Sequence, residues 1–222
     1  GPEGLLASDP VDFSVRNDQA SPRLNSLVPE LTNQNTVNIS GTAAPGAVVI
    51  VSYRLGTGEA VALDPVNADP VTGKFNLEFI LPADGSYVFT ARAMIGDMQS
   101  AESDPVTLVV DRTPPGAPTG FTGTVEDANH ITLSWDSSPE PDVVAYRLTR
   151  DGTLLAEVPN DGSRVYQDSG LTANTTYNYA LVAVDEAGNL SQASGLSIKS
   201  GAAGDSIPPA APAQPQVLYR LG

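Results

Sequence analysis

Two proline-rich stretches punctuate the chain and limit what it can become. Val109-Val110-Asp111-Arg112-Thr113-Pro114-Pro115-Gly116-Ala117-Pro118 runs from a β-branched pair into a cluster of prolines. Proline fixes φ and donates nothing to a ladder, so this reads as the end of a strand followed by a stiff, extended connector between two domains. Asp205-Ser206-Ile207-Pro208-Pro209-Ala210-Ala211-Pro212 repeats the punctuation, and Ser103-Asp104-Pro105-Val106 onward echoes Ser8-Asp9-Pro10-Val11 onward. These markers recur at roughly 95 residues, the sign of a modular array. The expected organisation is a trailing or donor strand over 1–20, one domain over 21–112, a second over 113–204, and a linker with the start of a following unit over 205–222. The opening Gly-Pro reads as the scar a tag-removing protease leaves after recombinant expression, on a piece excised from something longer.

Twenty glycines and 19 prolines are spaced between short alternating runs of Val, Ile, Leu, Thr and Tyr. That is the pattern of many strands joined by turns, and no stretch keeps a helical period for three turns. The fold class is therefore all-β. Strands are expected over 37–40, 48–54, 60–63, 74–81, 87–94 and 106–110. In Phe75-Asn76-Leu77-Glu78-Phe79 the alternation sends two aromatics and a leucine to one face and two polar side chains to the other. Pro45-Gly46 and Asp84-Gly85 are turn dipeptides between such runs.

The net charge of −15 repels nucleic acid and anionic lipid, and no apolar run is long enough to span a bilayer as a helix. With no cysteine there is neither a disulfide nor a thiolate metal site.

The runs Ile39-Ser40-Gly41-Thr42 through Val51, Thr72-Gly73-Lys74-Phe75 and Leu81-Pro82-Ala83-Asp84-Gly85-Ser86-Tyr87 resemble the bacterial immunoglobulin-like domains that repeat in surface adhesins. Where that family often carries an Asp-x-x-Gly-Asn-x-Ser loop, this unit has Ile95-Gly96-Asp97-Met98-Gln99-Ser100. The second unit resembles a fibronectin type III domain on Pro118-Thr119-Gly120-Phe121, His130-Ile131-Thr132-Leu133-Ser134-Trp135, Ala145-Tyr146-Arg147-Leu148 and the Leu171 to Tyr177 corner. The resemblances imply two tandem β-sandwiches, immunoglobulin-like and fibronectin type III-like, with a Pro-rich linker. They make Trp135 and Tyr177 structural, the first as a large packet of core burial and the second as a tie from hydroxyl to backbone.

Catalysis finds little to work with. The one histidine, His130, follows the turn Asp127-Ala128-Asn129 at a strand end, and neither a triad nor a zinc site is assembled around it. The expectation is no enzyme. Acidic residues are the sharper feature. The fibronectin type III resemblance places the loops Asp136-Ser137-Ser138-Pro139-Glu140-Pro141-Asp142 and Asp185-Glu186-Ala187-Gly188-Asn189 at the end where the chain enters, next to Asp111. Asp111, Asp136, Glu140, Asp142, Asp185 and Glu186 are hard oxygen ligands of the kind calcium takes, so calcium is the one cofactor the sequence offers; solvated loop acids are the competing reading. Exposed aromatic platforms for sugar are not evident, with Tyr53, Tyr166 and Tyr219 the least securely placed in a core.

The resulting expectation is a non-catalytic extracellular or cell-surface bacterial module acting as a spacer or adhesive stalk, with a protein or surface glycan as partner and without nucleic acid or membrane insertion. Two alternatives remain open: an accessory region of a secreted polysaccharide-degrading enzyme, and a filament subunit that self-assembles by strand exchange through Val11 to Val15.

Overall fold

The computed structural model describes residues 20–204. The end strands expected before and after, and Tyr219, lie outside the described residues. All regular structure within them is strand, in agreement with the all-β reading. The chain divides into two compact units, Gly1–Asp111 and Arg112–Gly222.

The first unit holds β1 (Arg23–Leu24), β2 (Leu31–Thr32), β3 (Thr36–Thr42), β4 (Val48–Leu55), β5 (Val61–Ala62), β6 (Val66–Asn67), β7 (Lys74–Ile80), β8 (Gly85–Ile95), β9 (Met98–Gln99) and β10 (Val106–Val110). One sheet runs β1-β3-β7; the other runs β2-β10-β8-β4-β5, with β6 added to β4 and β9 to β8. The expected strands are all present, although the one expected over 60–63 is only the two-residue β5, with both residues exposed. In β7, Phe75 is buried and Leu77 and Phe79 half-buried, while Lys74, Asn76, Glu78 and Ile80 are exposed. Two-residue strands such as β1 and β2 show no alternation and give no signal. Between the sheets Tyr87 and Phe89 stack at 5.9 Å, with Tyr53 packed 4.8 Å from Phe79. Tyr53 is thus part of the core rather than a sugar platform. Gly41 is required by close approach: a Cβ there would collide with the Arg23 carbonyl and lie 2.7 Å from the Phe75 ring.

The second unit holds β11 (Thr122–Val125), β12 (Ile131–Ser134), β13 (Val143–Arg150), β14 (Thr153–Pro159), β15 (Val165–Asp168), β16 (Thr176–Asp185) and β17 (Ser194–Lys199). Its sheets run β11-β12-β15 and β14-β13-β16-β17. Trp135 follows β12 directly, is 4% exposed, and meets Tyr146 edge-on at 5.6 Å. Tyr166 packs against the same core. The Tyr177 hydroxyl accepts the Thr172 N–H at 2.8 Å, the tie expected of the Leu171 to Tyr177 corner. The first unit contains the same device at the same spacing, Leu81 to Tyr87: the Tyr87 hydroxyl donates to the Ala83 carbonyl at 2.7 Å and accepts its N–H at 3.2 Å.

Candidate functional site

In the second unit the β12–β13 and β16–β17 loops lie side by side, joined by the Glu186 N–H donating to the Asp142 carbonyl at 2.9 Å. Asp142 and Asp185 bring carboxylate oxygens within 4.8 Å of one another. The other acids are employed differently. The Glu140 carboxylate accepts the Gly116 N–H through both oxygens, at 3.0 and 3.1 Å. Asp136 accepts the Thr119 hydroxyl at 3.2 Å, and its own N–H donates to the Thr119 carbonyl at 2.9 Å. The Ser194 hydroxyl donates to the Pro118 carbonyl. Together these bonds pin the 116–119 segment onto the sandwich.

Asp185 is 2% exposed and closes its own turn, accepting the Asn189 N–H at 2.7 Å and the Asn189 side-chain amide at 2.8 Å. Gly188, at φ +88°, lets the turn reverse. Glu186 is exposed and Asp142 is exposed. Asp111 is the last residue of the first unit, half-buried, with its N–H bonded to the Thr32 carbonyl at 2.9 Å. Of the six sequence candidates, the second unit thus pairs Asp142 with Asp185, uses Asp136 and Glu140 as loop anchors, and leaves Glu186 in solvent.

His130 bonds through Nδ1 to both Asp127 carboxylate oxygens, at 2.8 and 2.9 Å, across the turn that separates β11 from β12. Asp127 also accepts the Asn129 N–H, and that bond first, then the imidazole, holds its carboxyl below the usual range. A histidine so placed caps a hairpin.

A charged cluster inside the second sandwich is not anticipated by the sequence reading. Asp168, 4% exposed on β15, accepts Arg150 Nη1 from β13 at 2.8 and 2.9 Å and the Tyr179 hydroxyl from β16 at 2.6 Å. It therefore ties one sheet to the other. Arg150 also lies over the Tyr177 ring at 5.3 Å. Burial, then the bond to Asp168, raises the Tyr179 phenol well above its ordinary range. The signal was present in Val165-Tyr166-Gln167-Asp168, where the alternation puts the carboxylate on the inward side with Tyr166. An inward acid demands a buried partner. Tyr179 is 2% and Asp168 4% exposed, so only the Arg150 side chain of this cluster reaches solvent.

A groove of about 720 Å³ in the first unit is lined by Asn25, Asn38, Ser40, Asn67, Lys74 and Asn76 among others. Its aromatic member, Phe75, is 4% exposed and presents no ring face.

No family model matches the chain. Chitinase A1 of Niallia circulans is 32% identical over 177 residues, which is 76% of this chain and 24% of that protein. An alpha-amylase of the same organism is 32% identical over 136 residues, 61% of this chain and 10% of that protein. The chain therefore spans a quarter or less of the length of these relatives. Among solved structures, the fibronectin(III)-like modules of Clostridium thermocellum CbhA are 15% identical and give a TM-score of 0.50, covering 84% of this chain and 92% of theirs. The chain is thus a tandem pair of β-sandwiches, one immunoglobulin-like and one fibronectin type III-like.

Proposed function

We propose that the chain is a non-catalytic spacer module of a secreted, polysaccharide-degrading bacterial protein. One observation carries this reading: the chain matches a chitinase over 76% of its length and an alpha-amylase over 61%, so part of it is shared with both, and the matches occupy only 24% and 10% of those proteins. A segment common to proteins named for different substrates is suited to a task that does not depend on the substrate. Holding other domains apart is such a task, and the sites of this chain fit it. Asp136, Glu140 and Asp185 hold loops in place, the histidine caps a turn, and the buried cluster joins two sheets. High negative charge keeps the module soluble and discourages unspecific association.

The test is to incubate the chain with insoluble chitin, starch and cellulose and to measure both retention and release of reducing sugar. The spacer reading expects the chain to stay in the supernatant and to release nothing. Retention on any one polymer would make it a binding module, and sugar release would make it an enzyme; either result ends the proposal.

A further inference from the structure

In the first unit β1 covers only part of the free edge of β3. Arg23 lies opposite Thr42 and Leu24 opposite Gly41, and the Asn25 N–H donates to the Ser40 carbonyl at 2.9 Å. The chain then crosses to the other sheet, where β2 runs parallel to β10. In an antiparallel ladder the N–H and C=O of one residue point to the same side, and the side alternates along the strand. Since the Ser40 carbonyl faces β1, the backbone groups of Asn38 and Thr36 face that side too. Asn35, whose carbonyl accepts the Leu81 N–H at 2.8 Å, faces the opposite way.

Among the described residues no strand pairs with β3 on the Asn38 side beyond Asn25. A groove of about 350 Å³ runs there instead, lined by Leu27, Val28, Pro29, Val37, Asn38 and Leu108 among others. Leu27 and Leu108 belong to the hydrophobic core, and Val28 stands 88% exposed at the rim. Open backbone groups beside an apolar trough are what an added strand recognises: the ladder supplies affinity and alternate side chains fill the trough.

We propose that this groove accepts a strand from a second copy of the chain, with Val11-Asp12-Phe13-Ser14-Val15 as donor. The segment places apolar residues at alternate positions, 11, 13 and 15. Its sequence echoes β10, whose Leu108 and Val110 are buried in this same type of core. We assign the donor to another molecule: β1 fills the Thr42 end of the edge antiparallel to β3, so the described chain enters the edge at the end remote from the slot. The pairing is independent of the spacer role.

The experiment is light-scattering mass from about 10 μM to about 1 mM, a range that captures weak pairing, in moderate salt that screens the negative charge. The intact chain is expected to rise from 23.0 kDa toward at least twice that mass. A chain beginning at Ser21, and a Phe13→Asp variant, stay monomeric. A peptide of residues 8–16 shifts the Thr36 and Asn38 amide resonances of the shortened chain, and Asn38→Pro, which removes one edge donor, abolishes the shift. Should Asn38→Pro fail to fold, Phe13→Asp decides, since it changes no residue of the described sandwich. A monomer at every concentration, or assembly that survives removal of residues 1–20, overturns the proposal.

Discussion

Arg150 and Asp168 face one another across the second sandwich, with Nη1 2.8 and 2.9 Å from the two carboxylate oxygens. The Asp168 side chain is 5% exposed and that of Arg150 29%, so water screens the acid poorly. Removing one member of such a pair leaves an uncompensated buried charge, and Arg150→Met is expected to cost about 3–5 kcal/mol. The loss is read as a lower urea midpoint in the fluorescence of Trp135, the sole tryptophan and a resident of this unit. Replacing the whole set (Arg150→Met, Asp168→Leu and Tyr179→Phe) removes every polar group at once and should recover much of it. A midpoint unmoved by Arg150→Met would show that the pair contributes nothing.

Tyr179 gives the same cluster an alkaline signature. An ordinary tyrosine ionises near 10.0; burial, and then the hydrogen bond to Asp168, raise this one. Below that value folded and unfolded chains both keep the proton, and the full contribution is present. As pH rises past it the unfolded chain releases its proton first, so stability falls until the folded phenol ionises in turn. The urea midpoint should therefore decline above pH 10, with a shallower decline in Tyr179→Phe. Parallel slopes for the two proteins would refute the assignment.

Much of this architecture was legible because long strands alternate. The run Lys74 to Ile80 declares both strand and inward face, while Val48 to Leu55 and Val106 to Val110 declare strand. The Leu171 to Tyr177 corner was equally open to reading, since its tie is local. Asp168 was harder: its partners lie 18 and 11 residues away on other strands, and only topology brings them together. The acidic loops were legible as clusters but not as roles. Whether a carboxylate anchors an N–H or stands free depends on where segment 116–119 is laid down, and no spacing encodes that.

A second device, besides the tyrosine tie, is shared by both units. The Ser191 hydroxyl accepts the Ala183 N–H at 2.8 Å while its own N–H donates to the Ala183 carbonyl at 3.0 Å. Ser100 does the same for Ala93, and Ser103 for Ala91. Each serine thus stands in for a missing stretch of neighbouring strand. Ser191→Ala and Ser103→Ala leave buried alanine N–H groups without an acceptor, which should cost about 1–3 kcal/mol each. Hydrogen exchange at Ala183 and Ala91 should quicken in step, and unchanged exchange would mean another acceptor is at hand.

Glu140 separates an anchoring carboxylate from an ion ligand. Its two oxygens straddle the Gly116 N–H at 3.0 and 3.1 Å, and a Cβ on Gly116 would approach Oε1 to 2.9 Å. An anchor needs an acceptor, whereas a calcium ligand needs charge. Glu140→Gln keeps an acceptor oxygen and should lose only the charge-assisted part of the bond, whereas Glu140→Ala loses all of it, about 1–3 kcal/mol in all. The ranking by denaturation midpoint, wild type above Gln above Ala, should be the same in calcium and in chelator. If added calcium instead stabilises the wild type and leaves both variants alike, the carboxylate is acting as a ligand, because only a species bound to the folded state raises its midpoint.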